Sequence, residues 1–348
     1  MPASRQSHTD SVAVKHSELS PTIAAMPKAE LHVHLEGSIR PAVAVALAAR
    51  YGVSLTEEEV RGRYACGDFP EFIEAFKWVT SFLREPGDYA LLAGDLAEQL
   101  LAQHVIYAEV TLSVGVMLLR KQNPQANFEA IVAAVEPLEH KGLHLNWIFD
   151  AVRQFGPELA IQVIDWAKRC NSPRIVAFGI GGNELSVPSK DFQQVYRHAS
   201  GCGLHRLIHA GEIGGPEKVR EAVELLEIER IGHGIAAIHD PALMDLLAAR
   251  RIVLEVCPVS NLRTGALARQ LRSDSPSIKQ HPLPQLLRHG IPVVLSTDDP
   301  PMFETCLREE YSHAQNMGLS EAELGGLVEN SFTFSFTRRP QGQSERNV

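Results

Sequence analysis

Short apolar runs alternate along the chain with longer segments of helical periodicity. Strands are predicted at Leu31–Leu35, Val105–Leu112, Leu143–Phe149, Ile175–Ile180, Leu204–His209, Arg230–His233, Ile252–Val256 and Val293–Ser296. Helical patterns separate most of them, at Pro41–Tyr51, Asp88–Gln103, Glu158–Arg169, Glu217–Leu226 and Pro241–Arg250. Strands that alternate with helices imply a parallel sheet. Eight such units fit an α/β chain folded as a (β/α)8 TIM barrel, which carries its active site at the C-terminal ends of the strands. An open doubly wound sheet is the main rival. No G-x-G-x-x-G turn follows the first strand, which weakens a dinucleotide-binding version of it.

About seventy residues lie between the first and second strands, more than one crossover helix needs. They include Phe69, Phe72, Phe76, Val79 and Leu83, spaced for one helical face. Such a helix packs on the barrel or forms an apolar lid over its mouth. The two readings are compatible, and Phe72 and Phe76 are the residues a lid would turn toward a substrate.

The chain has 348 residues, 45% hydrophobic and 22% charged, an ordinary globular composition compatible with one α/β barrel domain. The expected organisation is a loose arm over residues 1–25, a barrel over 26–336 and a loose tail over 337–348. Lys and Arg total 33 against 42 Asp and Glu, with no basic block, which argues against a nucleic-acid partner but not against an uncharged nucleoside. The five scattered cysteines read as reduced thiols. With no apolar signal segment and no membrane-length run, the expected location is cytoplasmic. Oligomeric state is left open.

His32-Val33-His34 lies on the first predicted strand, so both imidazoles point to one face, as a metal pair or as core histidines. His209 closes the fifth strand in His209-Ala210-Gly211-Glu212. Asp298-Asp299-Pro300 follows the eighth, and His233 stands in Arg230-Ile231-Gly232-His233-Gly234 after the sixth. Three imidazoles and a carboxylate suit zinc. Asp298-Asp299-Pro300 alone would read as a helix cap or turn. Glu212 lies about one turn beyond His209, near a metal without binding it. A carboxyl acting as an acid near neutral pH needs burial to raise its pKa. The remaining histidines, His281 among them, read as surface or packing residues, and a catalytic role for Cys257 has little support.

The run Met26 to Ser38, MPKAELHVHLEGS, resembles the opening of the adenosine deaminase family. HAGE, RIGHG, EVCPVSN and STDDP resemble the same family in the same order, as does Glu329–Phe332, ENSF. The resemblance covers roughly residues 26–336. It implies one Zn2+ per chain on His32, His34, His209 and Asp298, with a zinc-activated water attacking C6 of a 6-aminopurine. Glu212 would donate to N1, His233 would position or deprotonate the water, and Asp299 would orient the attacking oxygen. The products would be a 6-oxopurine and ammonia.

For substrate binding, the resemblance implies that the Gly182 N–H meets N3 of the purine, within Phe178–Glu184, a stretch otherwise readable as a plain turn. GGNE replaces the serine-rich version expected of free-adenine deaminases and favours a nucleoside. Glu36 stands where adenosine deaminases resemble HLDG with an Asp toward the ribose. That difference brings in 5′-substituted adenosines such as 6-amino-6-deoxyfutalosine of menaquinone biosynthesis, whose benzoate could meet Arg153; alternatively, Arg153 is a structural ion-pair residue. The alternatives are an adenine deaminase of purine salvage, a non-catalytic nucleoside-binding barrel, or a related hydrolase of phosphoesters or lactones. The last often bridges two metals with a lysine, and no strand-end lysine matches.

Overall fold

The computed structural model describes residues 19–337. Eight parallel strands follow one another around a nearly closed barrel in chain order: β1 (Lys28–His34), β2 (Val105–Leu112), β3 (His144–Val152), β4 (Ile175–Gly181), β5 (His205–Ala210), β6 (Arg230–His233), β7 (Val253–Val256) and β8 (Val293–Leu295). Every predicted strand is present, and the (β/α)8 expectation holds. β1 meets the segment after β8 in a parallel bridge between Val33 and Asp298. The Asp298 N–H donates to the His32 carbonyl and the His34 N–H to the Asp298 carbonyl, each at 2.9 Å. Closure of the barrel therefore sets Asp298 beside the two histidines of β1.

The outer helices begin where proline permits. Helices Pro41–Arg50, Pro86–Ala102, Pro124–Glu139, Pro157–Cys170, Pro216–Leu225 and Pro241–Arg250 all open on Pro. Its fixed φ suits the first helical turn, where no N–H partner is needed. The long insertion after β1 folds into Pro41–Arg50, Glu57–Tyr64, Phe69–Thr80 and Pro86–Ala102. The third of these is capped by Asp68, which accepts from the Glu71 N–H at 2.9 Å. Leu83, expected on its apolar face, lies beyond its end and is buried.

Leu19 and Ile23 of the expected arm are buried, and the Lys28 ammonium donates to the Ile23 and Met26 carbonyls at 2.8 and 2.9 Å. Residues 19–25 thus pack onto the barrel. The rest of the expected arm and the tail from residue 338 fall outside the described residues.

The floor of the barrel is ionic. Arg230 on β6 pairs through Nε with Glu255 Oε1 and through a terminal nitrogen with Glu109 Oε2, both at 2.6 Å, with all three side chains buried. Buried charges persist only when paired. The Phe336 ring covers the guanidinium at 3.7 Å, and the Phe336 N–H donates to Glu109 Oε1 at 2.6 Å.

Candidate active site

The strand ends bring three imidazoles and a carboxylate to one point. His34 Nε2 lies 3.3 Å from His209 Nε2 and 3.2 Å from Asp298 Oδ1, and His32 Nε2 lies 3.4 Å from the same oxygen. Four ligands at about 2.0–2.1 Å around a tetrahedral ion stand about 3.3–3.4 Å apart, so the spacing fits zinc. His32 Nε2 is buried with no hydrogen-bond partner, as expected of a nitrogen reserved for a metal. Its Nδ1 is held by Glu255 Oε2 at 2.7 Å, which orients the ring from the ionic floor. Burial and the neighbouring imidazoles push His209 well below the usual histidine range, toward the neutral form a ligand requires.

His32, His209, His233 and Asp298 also place one donor atom each within 4.8 Å of one another. His233 is the wider fit, because its Nε2 is 3.9 Å from Asp298 Oδ2 and 3.7 Å from Glu212 Oε2. His34 shares the tighter spacing with His209 and Asp298. Two of the residues here adopt the left-handed backbone region, His233 at φ 64° and Asp298 at φ 67°. Non-glycine residues in that region cost energy and cluster at functional sites.

The carboxyls divide by environment. Burial alone would raise Asp298, but the neighbouring His32, His34 and His233 imidazoles outweigh it and hold the carboxyl well below the ordinary Asp range. Burial, then the nearby Asp298 charge, pushes Asp299 well up. Burial also raises Glu212 strongly, with Asp298 and Glu184 adding to it. Glu212 Oε1 accepts from the Thr264 hydroxyl at 3.2 Å. One ionised carboxylate thus sits beside two carboxyls that favour the protonated form.

The cavity over these groups is lined by His34, His209, Glu212, His233, Asp298 and Asp299 below, and by Phe69, Phe72, Ile73 and Phe76 above. Gly182 lines its side at φ 86°, where a Cβ would press on Gln154 and Val152. Phe72 also packs on Phe303, with ring centres 5.0 Å apart. The expected metal, catalytic and apolar residues therefore meet in one place.

Two expected residues do not line it. Arg153 is buried in the frame: its guanidinium donates to the Val187 and His209 carbonyls at 3.2 and 3.3 Å and lies over the Phe192 ring. Its hydrogen bonds point inward, so it presents no cation to a ligand. Glu36 is buried as well, with Oε1 accepting from the Ser113 N–H at 2.9 Å, and it is Ser113 that reaches the cavity. Lys77 is the cation on the cavity wall; its side chain is 61% exposed and paired with Glu74 at 2.7 Å.

Other groups escaped the sequence reading. Asp150 lines the cavity from the end of β3, one residue past the predicted strand. Glu184 accepts from the Gly211, Ile213 and Gly214 N–H groups at 2.7, 2.5 and 2.6 Å, clasping the loop that carries Glu212. Gln270 supports the same loop by donating to the Glu212 and Gly214 carbonyls, each at 2.9 Å. In the sequence, Phe178–Glu184 reads as a purine contact or a plain turn, which gives Glu184 no role of its own.

The adenosine deaminase family profile matches residues 27–345. The chain belongs to the adenosine deaminase family. This deaminase is 38% identical over 326 residues to the aminodeoxyfutalosine deaminase of Streptomyces avermitilis, covering 92% of this chain and 89% of that one. Its fold matches the adenine deaminase of Arthrobacter aurescens with TM-score 0.82 at 29% identity, over 90% and 94% of the two chains. It also matches a Burkholderia ambifaria amidohydrolase solved with bound Zn, with TM-score 0.81 at 27% identity, over 90% and 87%. The deaminase reading and the metal-dependent amidohydrolase class stand on these matches. No helix among the described residues is long and apolar enough to cross a membrane.

Proposed function

We propose that this deaminase converts a 6-aminopurine nucleoside, adenosine or a 5′-substituted adenosine, to the 6-oxopurine nucleoside and ammonia, with one zinc on His32, His34, His209 and Asp298. The observation that carries it is the buried, proton-retaining Glu212 beside the convergent ligand set, under an apolar roof. Zinc, when bound, supplies Lewis-acid activation of a water. Glu212 gives its proton to N1, drawing electron density from C6 as the water oxygen bonds there. The Glu212 carboxylate left by that transfer takes the water's first proton and passes it to N6, whose bond to C6 breaks as ammonia leaves, while Asp299 orients the attacking oxygen. The remaining oxygen-bound proton returns to Glu212, and the C6–O bond becomes the product carbonyl. His233 holds the attacking oxygen from the Glu212 side. Phe72 and Phe76 act as a lid that excludes water and keeps Glu212 protonated.

The substrate's 5′ side faces the rim. A carboxylate there, as on aminodeoxyfutalosine, would meet Lys77 rather than Arg153. The relative from Streptomyces supports that nucleoside, and the Arthrobacter fold match supports adenine as the second reading. Ammonia release should be measured for adenine, adenosine, 5′-deoxyadenosine derivatives and aminodeoxyfutalosine with zinc-loaded protein. Turnover of a nucleoside at higher kcat/KM than adenine is expected. Preference for adenine would overturn the nucleoside reading, and no turnover of any would overturn the reaction.

A further inference from the structure

Behind His233 runs a chain of buried hydrogen bonds that the sequence offered only as an unassigned histidine. We propose that His281, acting through Asn261, is a positioning residue that fixes the His233 proton on Nε2, so that His233 enters the reaction as a hydrogen-bond donor. The proposal rests on the place given to His233 beside the attacking oxygen.

One group at the far end of the chain has no choice of role. The Leu283 backbone N–H can only donate, and it lies 3.1 Å from His281 Nδ1. His281 Nδ1 is therefore an acceptor, and the ring carries its proton on Nε2. That Nε2 lies 3.1 Å from Asn261 Oδ1, which accepts it. With its oxygen engaged, the amide turns Nδ2 toward His233 Nδ1 at 3.0 Å, and an amide nitrogen can only donate. His233 Nδ1 is thereby an acceptor, which leaves Nε2 as the protonated nitrogen. Nε2 is the atom facing Glu212 Oε2 and Asp298 Oδ2 across the cavity floor.

His281, Asn261 and His233 are all buried, at 3%, 0% and 1% exposure, so solvent offers none of them another partner. The order of donors is set by the backbone where helix Leu283–Arg288 begins and is passed to the site through Asn261, just beyond β7. The reaction inherits a division of labour. An Nε2 that already holds a proton cannot accept one from the water, so that proton goes to the Glu212 carboxylate left after N1 is protonated, and His233 stabilises charge developing on oxygen.

The test reads the tautomer directly. Asn261→Asp keeps size but replaces the donor by a second acceptor, so His233 should move its proton to Nδ1 and turn a lone pair toward Glu212 and Asp298. Nitrogen-15 NMR of the histidine-labelled, zinc-loaded full chain, with His233 assigned by its loss in His233→Gln, should show Nε2–H in the wild type and Nδ1–H in N261D. On the nucleoside turned over fastest, kcat of N261D should fall on the order of 10²-fold, with KM and zinc content little changed. His281→Leu should lower kcat and mix the two tautomers, and His281→Gln, which can still donate to Asn261, should restore most of both. Wild-type His233 protonated at Nδ1, an unchanged tautomer in N261D, or an unchanged kcat despite the shift would overturn the proposal. The tautomer readout needs no substrate, so it holds or fails independently of purine deamination.

Discussion

Gly37 lies against the Asp299 carboxyl so closely that a Cβ on it would overlap Oδ1, Cγ and Cβ of that side chain. Its own backbone needs no left-handed angle. The glycine is thus required by what stands beside it. Gly37→Ala should push Asp299 aside while sparing the three histidines. A misplacement of about 1 Å in a reacting group can cost on the order of 10²-fold in rate. A drop in kcat of that order is expected, with zinc retained. Wild-type turnover in the alanine variant would show that Asp299 has no part in the chemistry.

The ligand assignment predicts that zinc and activity depart together. His32→Ala and His209→Ala each remove one of the atoms spaced for a tetrahedral ion. Elemental analysis of the purified variants should find most of the metal missing, and turnover should fall with it. Full zinc occupancy in both would refute the assignment.

Glu212 predicts the opposite pattern. Glu212→Gln preserves shape and leaves the ligand set intact, but an amide cannot give a proton to N1. Zinc content and thermal stability should stay near wild type. Turnover should fall by about 10²-fold or more, the scale of a lost general acid. Near-normal kcat with bound zinc would remove Glu212 from the acid's role.

At the rim, Lys77 and Arg153 should behave differently. Lys77 is exposed and already paired with Glu74, so its contact with a substrate carboxylate is screened by water. An exposed ion pair is worth about 0.2–1 kcal/mol, or roughly 1.5- to 5-fold. Lys77→Met should lower kcat/KM for a nucleoside carrying a 5′-aryl carboxylate by about that factor and leave adenosine unchanged. Arg153→Ala should harm both substrates alike, because it removes donors to the Val187 and His209 carbonyls from the frame beneath the site. A loss confined to the carboxylate substrate in Arg153→Ala would reverse this reading.

The order of elements and most of the candidate site were legible in the amino-acid sequence. Burial on both faces makes a parallel strand a short apolar run, so all eight strands were visible one by one, whereas three helices begin one or two residues earlier than read, at Pro86, Pro157 and Pro216. The His-x-His pair, His209, His233 and Asp298-Asp299 were visible because each stands at or just past a strand end, where a barrel directs side chains to its mouth. Distances between strands are another matter. That Asp298 lies 3.2 Å from His34, while Arg153 turns into the frame, was set by barrel closure and by the carbonyls nearest each guanidinium nitrogen. The Glu184 clasp and the His281–Asn261 relay join residues 20 to 30 positions apart through hydrogen bonds that leave no periodicity behind. Local patterns record which side of an element is buried. Which polar atom meets which across that burial depends on how the elements pack against one another in three dimensions.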